Sequence, residues 1–151
     1  MKDLPTRRSS RLVILNADGR LLLFKYLDEH QSAFWSTVGG ELQEGEDFRA
    51  AATRELQEET GFNASIGPLL RTRGDVYAVA RSGPSKWIEQ YFLVELPGGS
   101  PDPSTWTDEE RSTIQEWRWW AAGEMRDTTT DRFLPDWLPD LFEDALRRPE
   151  L

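Results

Sequence analysis

Three glutamates, Glu55, Glu58 and Glu59, stand at i, i+3 and i+4, the spacing that gathers side chains on one face of an α-helix. Carboxylates on one stripe repel, and Glu58 and Glu59 lie just before Gly61, a natural helix stop, where the macrodipole is negative and favours cations. Each penalty is only some tenths to about 1 kcal/mol on a solvated face. Spacing alone therefore leaves two readings open, a solvated acidic face or a cation site. A bound hard cation reverses the sign of both penalties. Mg2+ suits such a stripe, because it takes carboxylate oxygens in an octahedral shell, keeps several waters and is completed by substrate phosphates. Gly39 and Gly40, just upstream, can bring a backbone carbonyl to the same ion, and Arg54 can pair with Glu46 or Glu58 to fix the intervening loop.

The rest of the composition directs the chemistry to carboxylates. With no cysteine, a disulfide framework, an iron–sulfur centre and thiolate zinc are excluded. One histidine, His30, expected in a loop, leaves no His-rich metal site and no good Ser-His-Asp triad. The net charge of −9 repels a phosphate backbone unless a cation or a local basic patch reverses it, so a nucleic-acid duplex is not an expected partner. The apolar run 12–15 is too short for a signal segment or a bilayer span, and a soluble, cytoplasmic protein without a membrane partner is expected.

The elements that must position these residues follow from patterning. The length, 151 residues, suits one core, and a single domain over 1–151 is expected. Residues 11–15 and 21–26 read as antiparallel strands joined at Asp18-Gly19. Their unbroken apolar runs predict cover on both faces, hence helices on each side of a sheet. Residues 34–38 read as a strand running into a turn at Gly39-Gly40. Asp47 is the expected N-cap of a helix ending at Gly61. Residues 62–70, 75–80 and 87–96 read as strands separated by turns at Arg73-Gly74 and at 82–84. Residues 97–103 form a surface loop, and 114–120 a last strand with Ile114 and Trp120 on one face. Trp117, Trp119 and Trp120 suggest a packed sheet edge or a ligand wall. Residues 135–148 carry apolar positions at helical spacing.

From Gly40 to Phe62 the chain reads Gly40, five residues, Glu46, seven residues, Arg54-Glu55, Leu56, one residue, Glu58-Glu59, one residue, Gly61, Phe62. This run resembles the complete signature box of the Nudix hydrolases, with no element missing. The resemblance implies an α/β fold, an α/β/α sandwich with a mixed sheet between helices. It implies hydrolysis of a nucleoside diphosphate linked to another moiety, with Mg2+ or Mn2+ as cofactor. Glu55, Glu58 and Glu59 match the family's metal-binding glutamates, the last two its usual strongest ligands, and the Gly39 carbonyl is a common addition. Arg54 and Glu46 match the pair that orients the catalytic helix and loop. The general base comes from the box or from an acid on a later loop; Glu109, Glu110 and Glu116 are the candidates, with Glu110 favoured.

Signatures of the family's coenzyme A, NADH and ADP-ribose subclasses are absent, and Tyr77 falls near a tyrosine of dinucleoside polyphosphate hydrolases. The reading is a (d)NTP pyrophosphatase in a house-cleaning role; the alternatives are a dinucleoside polyphosphate hydrolase and a non-catalytic nucleotide-sensing module. Either way the partner is a small nucleotide, and family members are often homodimers. From strand placement, Arg11, Lys25 or Arg73 would meet phosphates, and Phe34, Trp35, Tyr77 or Trp87 would stack on a base.

Overall fold

The computed structural model describes residues 4–28, 31–78 and 83–148; the expected loop residue His30 and turn residue Ser82 lie outside them. Strand β1 (Thr6–Leu15) is the spine. It runs parallel to β6 (Ser85–Glu95), from Thr6 opposite Lys86 to Leu15 opposite Glu95. Its other edge is divided between two partners. Near its end Leu15 faces Leu21 of antiparallel β2 (Leu21–Asp28), while Ser9 to Leu12 pair with β4 (Val38–Glu41). β2 in turn pairs with β3 (Gln31–Ser36) and β7 (Ile114–Trp120), and β5 (Leu69–Tyr77) borders β6. The sheet is therefore mixed, and it forks where β2 leaves β1 and β4 takes its place.

The expected hairpin is present. Asn16 Oδ1 accepts the N–H groups of Asp18 and Arg20 at 3.0 and 2.9 Å, and Gly19 turns the chain at φ 72°. Alternate residues of the apolar runs feed two cores, as expected of strands covered on both faces. Leu12, Ile14, Leu22, Phe24 and Val38 pack under Ala52 and Leu56 of α1 (Phe48–Thr60). Val13, Leu15, Leu21 and Leu23 pack on the other face against Leu138, Leu141, Phe142 and Ala145 of α4 (Leu138–Leu146) and Met125 of α3 (Ala122–Asp127). Each such side chain taken fully out of water contributes about 1.5–3 kcal/mol, so both helix layers are held by area rather than by polar contacts.

The structure departs from the sequence expectations in several places. The strand expected at 34–38 is two strands broken at Thr37, and Gly39-Gly40 lies inside β4. A side chain at Gly39 would collide with the Ser10 carbonyl and lie 2.9 Å from Arg11 Cα, so glycine here serves close backbone approach rather than a turn. Residues 62–68 form no strand: Gly67 and Pro68 make single backbone bonds to Leu93, and Pro68 has no N–H for a ladder. Arg73-Gly74 is no turn but sits within β5, Gly74 opposite Ile88, on an outer strand where a missing side chain costs little packing. In β7 the register shifts between Lys25 and Tyr26. The extra residue moves Ile114 to the α1-side core while Trp120 stays with α4, because one slipped residue reverses the facing of a strand. Two short helices, α2 (Asp108–Thr113) and α3, and a 3-10 turn at Pro103–Thr105 were not foreseen, and the tail helix starts at Leu138. Among the described residues no helix is long and apolar enough to cross a membrane.

Candidate active site

Helix α1 begins where Asp47 accepts the Ala50 N–H at 2.8 Å and ends at left-handed Gly61, φ 76°. Its last carbonyls lack intrahelical donors. The segment after β6 supplies them: Thr105 Oγ1 donates to the Glu58 carbonyl, Trp106 Nε1 to that of Glu59 at 2.7 Å, and the Asp102 N–H to that of Thr60 at 2.9 Å. That junction seats α2 beside α1. Thr107 caps α2, and Glu110 returns the bond by accepting the Thr107 N–H at 2.8 Å. The result is a cluster in which carboxylate oxygens of Glu55, Glu59 and Glu110 all lie within 4.8 Å of one another.

The helix period divides the box glutamates. At 100° per residue Glu59 lies 40° from Glu55 and Glu58 lies 60° to the other side. Glu55 and Glu59 are accordingly buried, while the Glu58 side chain is 48% exposed. Arg54 organises this side of the site. Its Nε and Nη2 grip both oxygens of Glu46 at 2.8 Å, its Nη1 donates to Glu55 at 2.7 Å and Glu58 at 3.0 Å, and its Nη2 also reaches the Glu41 carbonyl at 3.0 Å. The forked grip, with the Gln43 N–H, lowers the Glu46 carboxyl to about 2. Burial pushes Glu59 well above the usual carboxylate range, reinforced by Glu55 and Glu110 and opposed by the Gly39 N–H, which donates to Glu59 at 3.1 Å. Glu55 is raised by burial as well, with Arg54 opposing.

The donor set fits a hard divalent cation. Every ligand atom is oxygen, the convergent charge is what a cation relieves, and a side chain at Gly40 would overlap the Glu55 carboxylate, so glycine makes room for the cluster. Glu55 and Glu59 would hold such an ion, with Glu110 beside them in the cluster and Glu58 on the flank.

These acids open into a cleft of about 570 Å3 that also holds Arg11, Tyr26 and Phe34. Of the residues singled out from sequence, the cleft also gathers Gly39, Arg54, Glu58 and Glu109. Glu46 stands behind Arg54. The structure does not bring Lys25, Trp35 or Tyr77 into the cleft lining. Trp35 is 2% exposed in the α4-side core, with Lys25 Nζ 5.9 Å from its ring. Tyr77 stacks on Trp87 and donates to Glu89 at 2.7 Å, and Arg73 also reaches Glu89. Glu116 pairs across from Lys25 on β7. Trp119 donates to the Gly99 carbonyl, Trp120 is core and Trp117 is 37% exposed, so the sheet-edge reading of this triplet describes its placement. Sequence reasoning passed over Tyr26, Gln43 and Thr107 in the cleft and Glu89 behind it. The signal for Thr107 was present: Thr107-Asp108-Glu109-Glu110 is a capping box.

A mixed sheet between helix layers, with a glutamate cluster on the helix of a complete box, defines a Nudix hydrolase. The NUDIX domain model matches residues 5–141, and the chain belongs to that family. It is similar to a protein named RNA pyrophosphohydrolase from Pelagibacter ubique, 41% identical over 138 residues covering 85% of each chain, and to one of the same name from Sphingopyxis alaskensis, 30% identical over 132 residues covering 81% of this chain and 82% of the other. Its fold matches the MutT protein of Methanosarcina mazei at a TM-score of 0.72, 20% identity and 97% coverage of both chains. It also matches the dihydroneopterin triphosphate pyrophosphohydrolase of E. coli at 0.65 and 21%, covering 91% of this chain and 92% of that one. The chain is a hydrolase acting on pyrophosphate bonds.

Proposed function

We propose that this chain is a Mg2+-dependent pyrophosphohydrolase, active also with Mn2+, that cleaves the polyphosphate of a nucleoside 5′-polyphosphate. The observation that carries the reading is the convergence of Glu55, Glu59 and Glu110 within 4.8 Å in a cleft that also presents Arg11 and the Tyr26–Phe34 ring pair, stacked at 5.8 Å. Bound metal supplies charge neutralisation for the diphosphate and a lowered pKa for the attacking water. The chain's own residues do the rest. Glu58 and the Gly39 carbonyl complete the ligand set, Arg54 and Glu46 hold α1 against its loop, and Glu110 takes the proton of the water. Arg11 receives a phosphate, and the aromatic pair lines the side where a base can lie.

Free nucleoside triphosphates, in a house-cleaning role, and dinucleoside polyphosphates share this chemistry. A second reading, a polyphosphate at the 5′ end of an RNA, is favoured by the names of the relatives; a single-stranded end asks far less of a chain with net charge −9 than a duplex does. The test is a panel of nucleoside triphosphates, dinucleoside polyphosphates, nucleotide sugars, ADP-ribose and 5′-triphosphorylated RNA, assayed with Mg2+ and with Mn2+ for released phosphate or diphosphate. Turnover of a polyphosphate substrate is expected. Metal-dependent binding of nucleotide with no turnover of any of them overturns the reading in favour of a nucleotide-sensing module.

A further inference from the structure

Behind the cleft, the polar face of β1, β5 and β6 closes on one carboxylate. Glu89 is 1% exposed. Its Oε2 accepts from Ser9 Oγ at 2.6 Å and Arg11 Nε at 3.0 Å, and its Oε1 from Arg73 Nη1 at 3.1 Å and Tyr77 Oη at 2.7 Å. A buried carboxylate is tolerated only when paired and hydrogen-bonded, and four donors satisfy this one. For folding alone, apolar side chains of similar volume would serve as well.

What distinguishes Glu89 is the residue it holds. Arg11 belongs both to this cluster and to the cleft. Its side chain crosses β4 at Gly39, where an added Cβ would lie 2.9 Å from Arg11 Cδ. Beyond that crossing, Arg11 Nη1 donates to the Thr37 carbonyl at 3.3 Å, at the break between β3 and β4. The guanidinium is thus fixed from two sides, Nε on Glu89 and Nη1 on Thr37. The cleft has two cations among its described lining residues, Arg11 and Arg54. Arg54 is consumed by Glu46, Glu55, Glu58 and the Glu41 carbonyl. Arg11 is then the cation left to meet a phosphate in a cleft otherwise lined by acids.

We propose that Glu89 is a positioning residue for substrate, holding the Arg11 guanidinium across the fork of the sheet so that it receives a phosphate of the polyphosphate chain. This rests on the nucleoside-polyphosphate reading above. Because it acts on binding, it is read in KM and in equilibrium binding rather than in kcat. Loss of one charge-assisted hydrogen bond corresponds to roughly 10-fold or more in affinity.

The test uses Glu89→Gln, Arg11→Ala, Arg11→Lys, the double variant Glu89→Gln/Arg11→Ala, and Ser9→Ala as a disturbance of the same carboxylate that leaves the Arg11 contact in place. KM for the wild type's best nucleoside polyphosphate and the Kd of its non-hydrolysable analogue are measured with Mg2+. Glu89→Gln is expected to raise both about 10-fold with kcat within about threefold, to add nothing further in the Arg11→Ala background, and to exceed the effect of Ser9→Ala. Arg11→Lys, which keeps the charge but cannot bridge Glu89 and Thr37 as a fork, is expected to raise KM similarly, and decides the matter if Glu89→Gln does not fold. Wild-type KM in Arg11→Lys, or in a folded Glu89→Gln, overturns the proposal while leaving the enzyme reading intact. Equal additive losses in the double variant also overturn it. Failure of the wild type to turn over any nucleoside polyphosphate removes the reading and this proposal together.

Discussion

The backbone N–H of Gly39 donates to Glu59 Oε2 at 3.1 Å, joining the strand that borders the fork to the helix that carries the acids. One bond thereby sets where the most buried carboxylate of that helix points. The same carboxylate stands in the cluster with Glu55 and Glu110. Glu59→Gln keeps size and hydrogen-bonding shape while removing a ligand charge. Metal-dependent turnover is expected to fall by at least about 100-fold with little change in far-UV circular dichroism. Glu55→Gln is expected to behave alike, and near-wild-type kcat in either variant would remove these residues from the site.

Gly40 tests the geometry independently of charge. A Cβ there would overlap the Glu55 carboxylate, so Gly40→Ala must displace Glu55 or the strand. A cost of about 1–3 kcal/mol in unfolding free energy is expected from the overpacking, together with a weakened metal affinity. Denaturant titration and metal titration read the two effects separately. A variant with full metal affinity would show that Glu55 is not a ligand.

The buried acids repel one another without a cation, so metal is expected to stabilise the fold. A ligand at 100 times its Kd contributes about 2.7 kcal/mol, which for a chain of this size corresponds to a rise in Tm on the order of 5–10 °C. Thermal unfolding with Mg2+ or Mn2+ against a chelator measures it. The rise is expected to vanish in Glu59→Gln. Equal Tm values in metal and chelator for the wild type would contradict the site.

Much of this arrangement was legible in sequence because it is local. The box residues, the Asp47 cap and the Gly61 stop lie within one helix and its flanks, where a period of 3.6 and cap chemistry suffice. The two-sided apolar runs of β1 and β2 likewise announced a sheet between helices. The parts that were not legible are long-range. That β4 replaces β2 beside β1 depends on pairing Arg11 with Gly39, 28 positions apart, and no local pattern encodes that partner. Strand placement alone points Lys25 to a phosphate and Trp35 to a base, but strand faces are set by pairing, and Trp35 packs beside Trp120 at 5.2 Å. Glu89 is one of 27 acidic residues in the sequence, and only the strand register places Ser9 and Arg73 on either side of it.

Acid stability reports on Glu89. Burial by itself would raise its pKa, but Arg11 beside it, with the hydroxyls of Ser9 and Tyr77, outweighs burial and leaves it below the usual value. A carboxyl lowered in the folded state contributes stability that is present above its unfolded pKa, about 4.3, and is lost as pH falls through the folded value. Glu89→Gln is therefore expected to be less stable than the wild type near pH 7, with the difference closing below about pH 4. Urea unfolding at several pH values checks the sign. A difference that widens on acidification would mean that Glu89 is not held charged.

The three acids considered as general base now differ in position. Glu110 sits with Glu55 and Glu59, one oxygen fixed by the Thr107 N–H. Glu109 lines the same cleft but stands outside the close cluster, and Glu116 lies on β7 opposite Lys25. A base must reach the water's proton directly or through one further water, and of the three it is Glu110 that stands in the close cluster with Glu55 and Glu59. Glu110→Gln retains the acceptor that caps α2, so folding should survive while kcat falls by about 100-fold or more. Glu116→Gln should leave kcat within about twofold, because its loss touches only an exposed ladder pair. The pH–rate profile separates the roles further. In the wild type the acidic limb reports the group that must be deprotonated, and in Glu110→Gln that limb should flatten. An unchanged limb in Glu110→Gln, or its loss in Glu109→Gln instead, would transfer the role of base to another acid of the cleft.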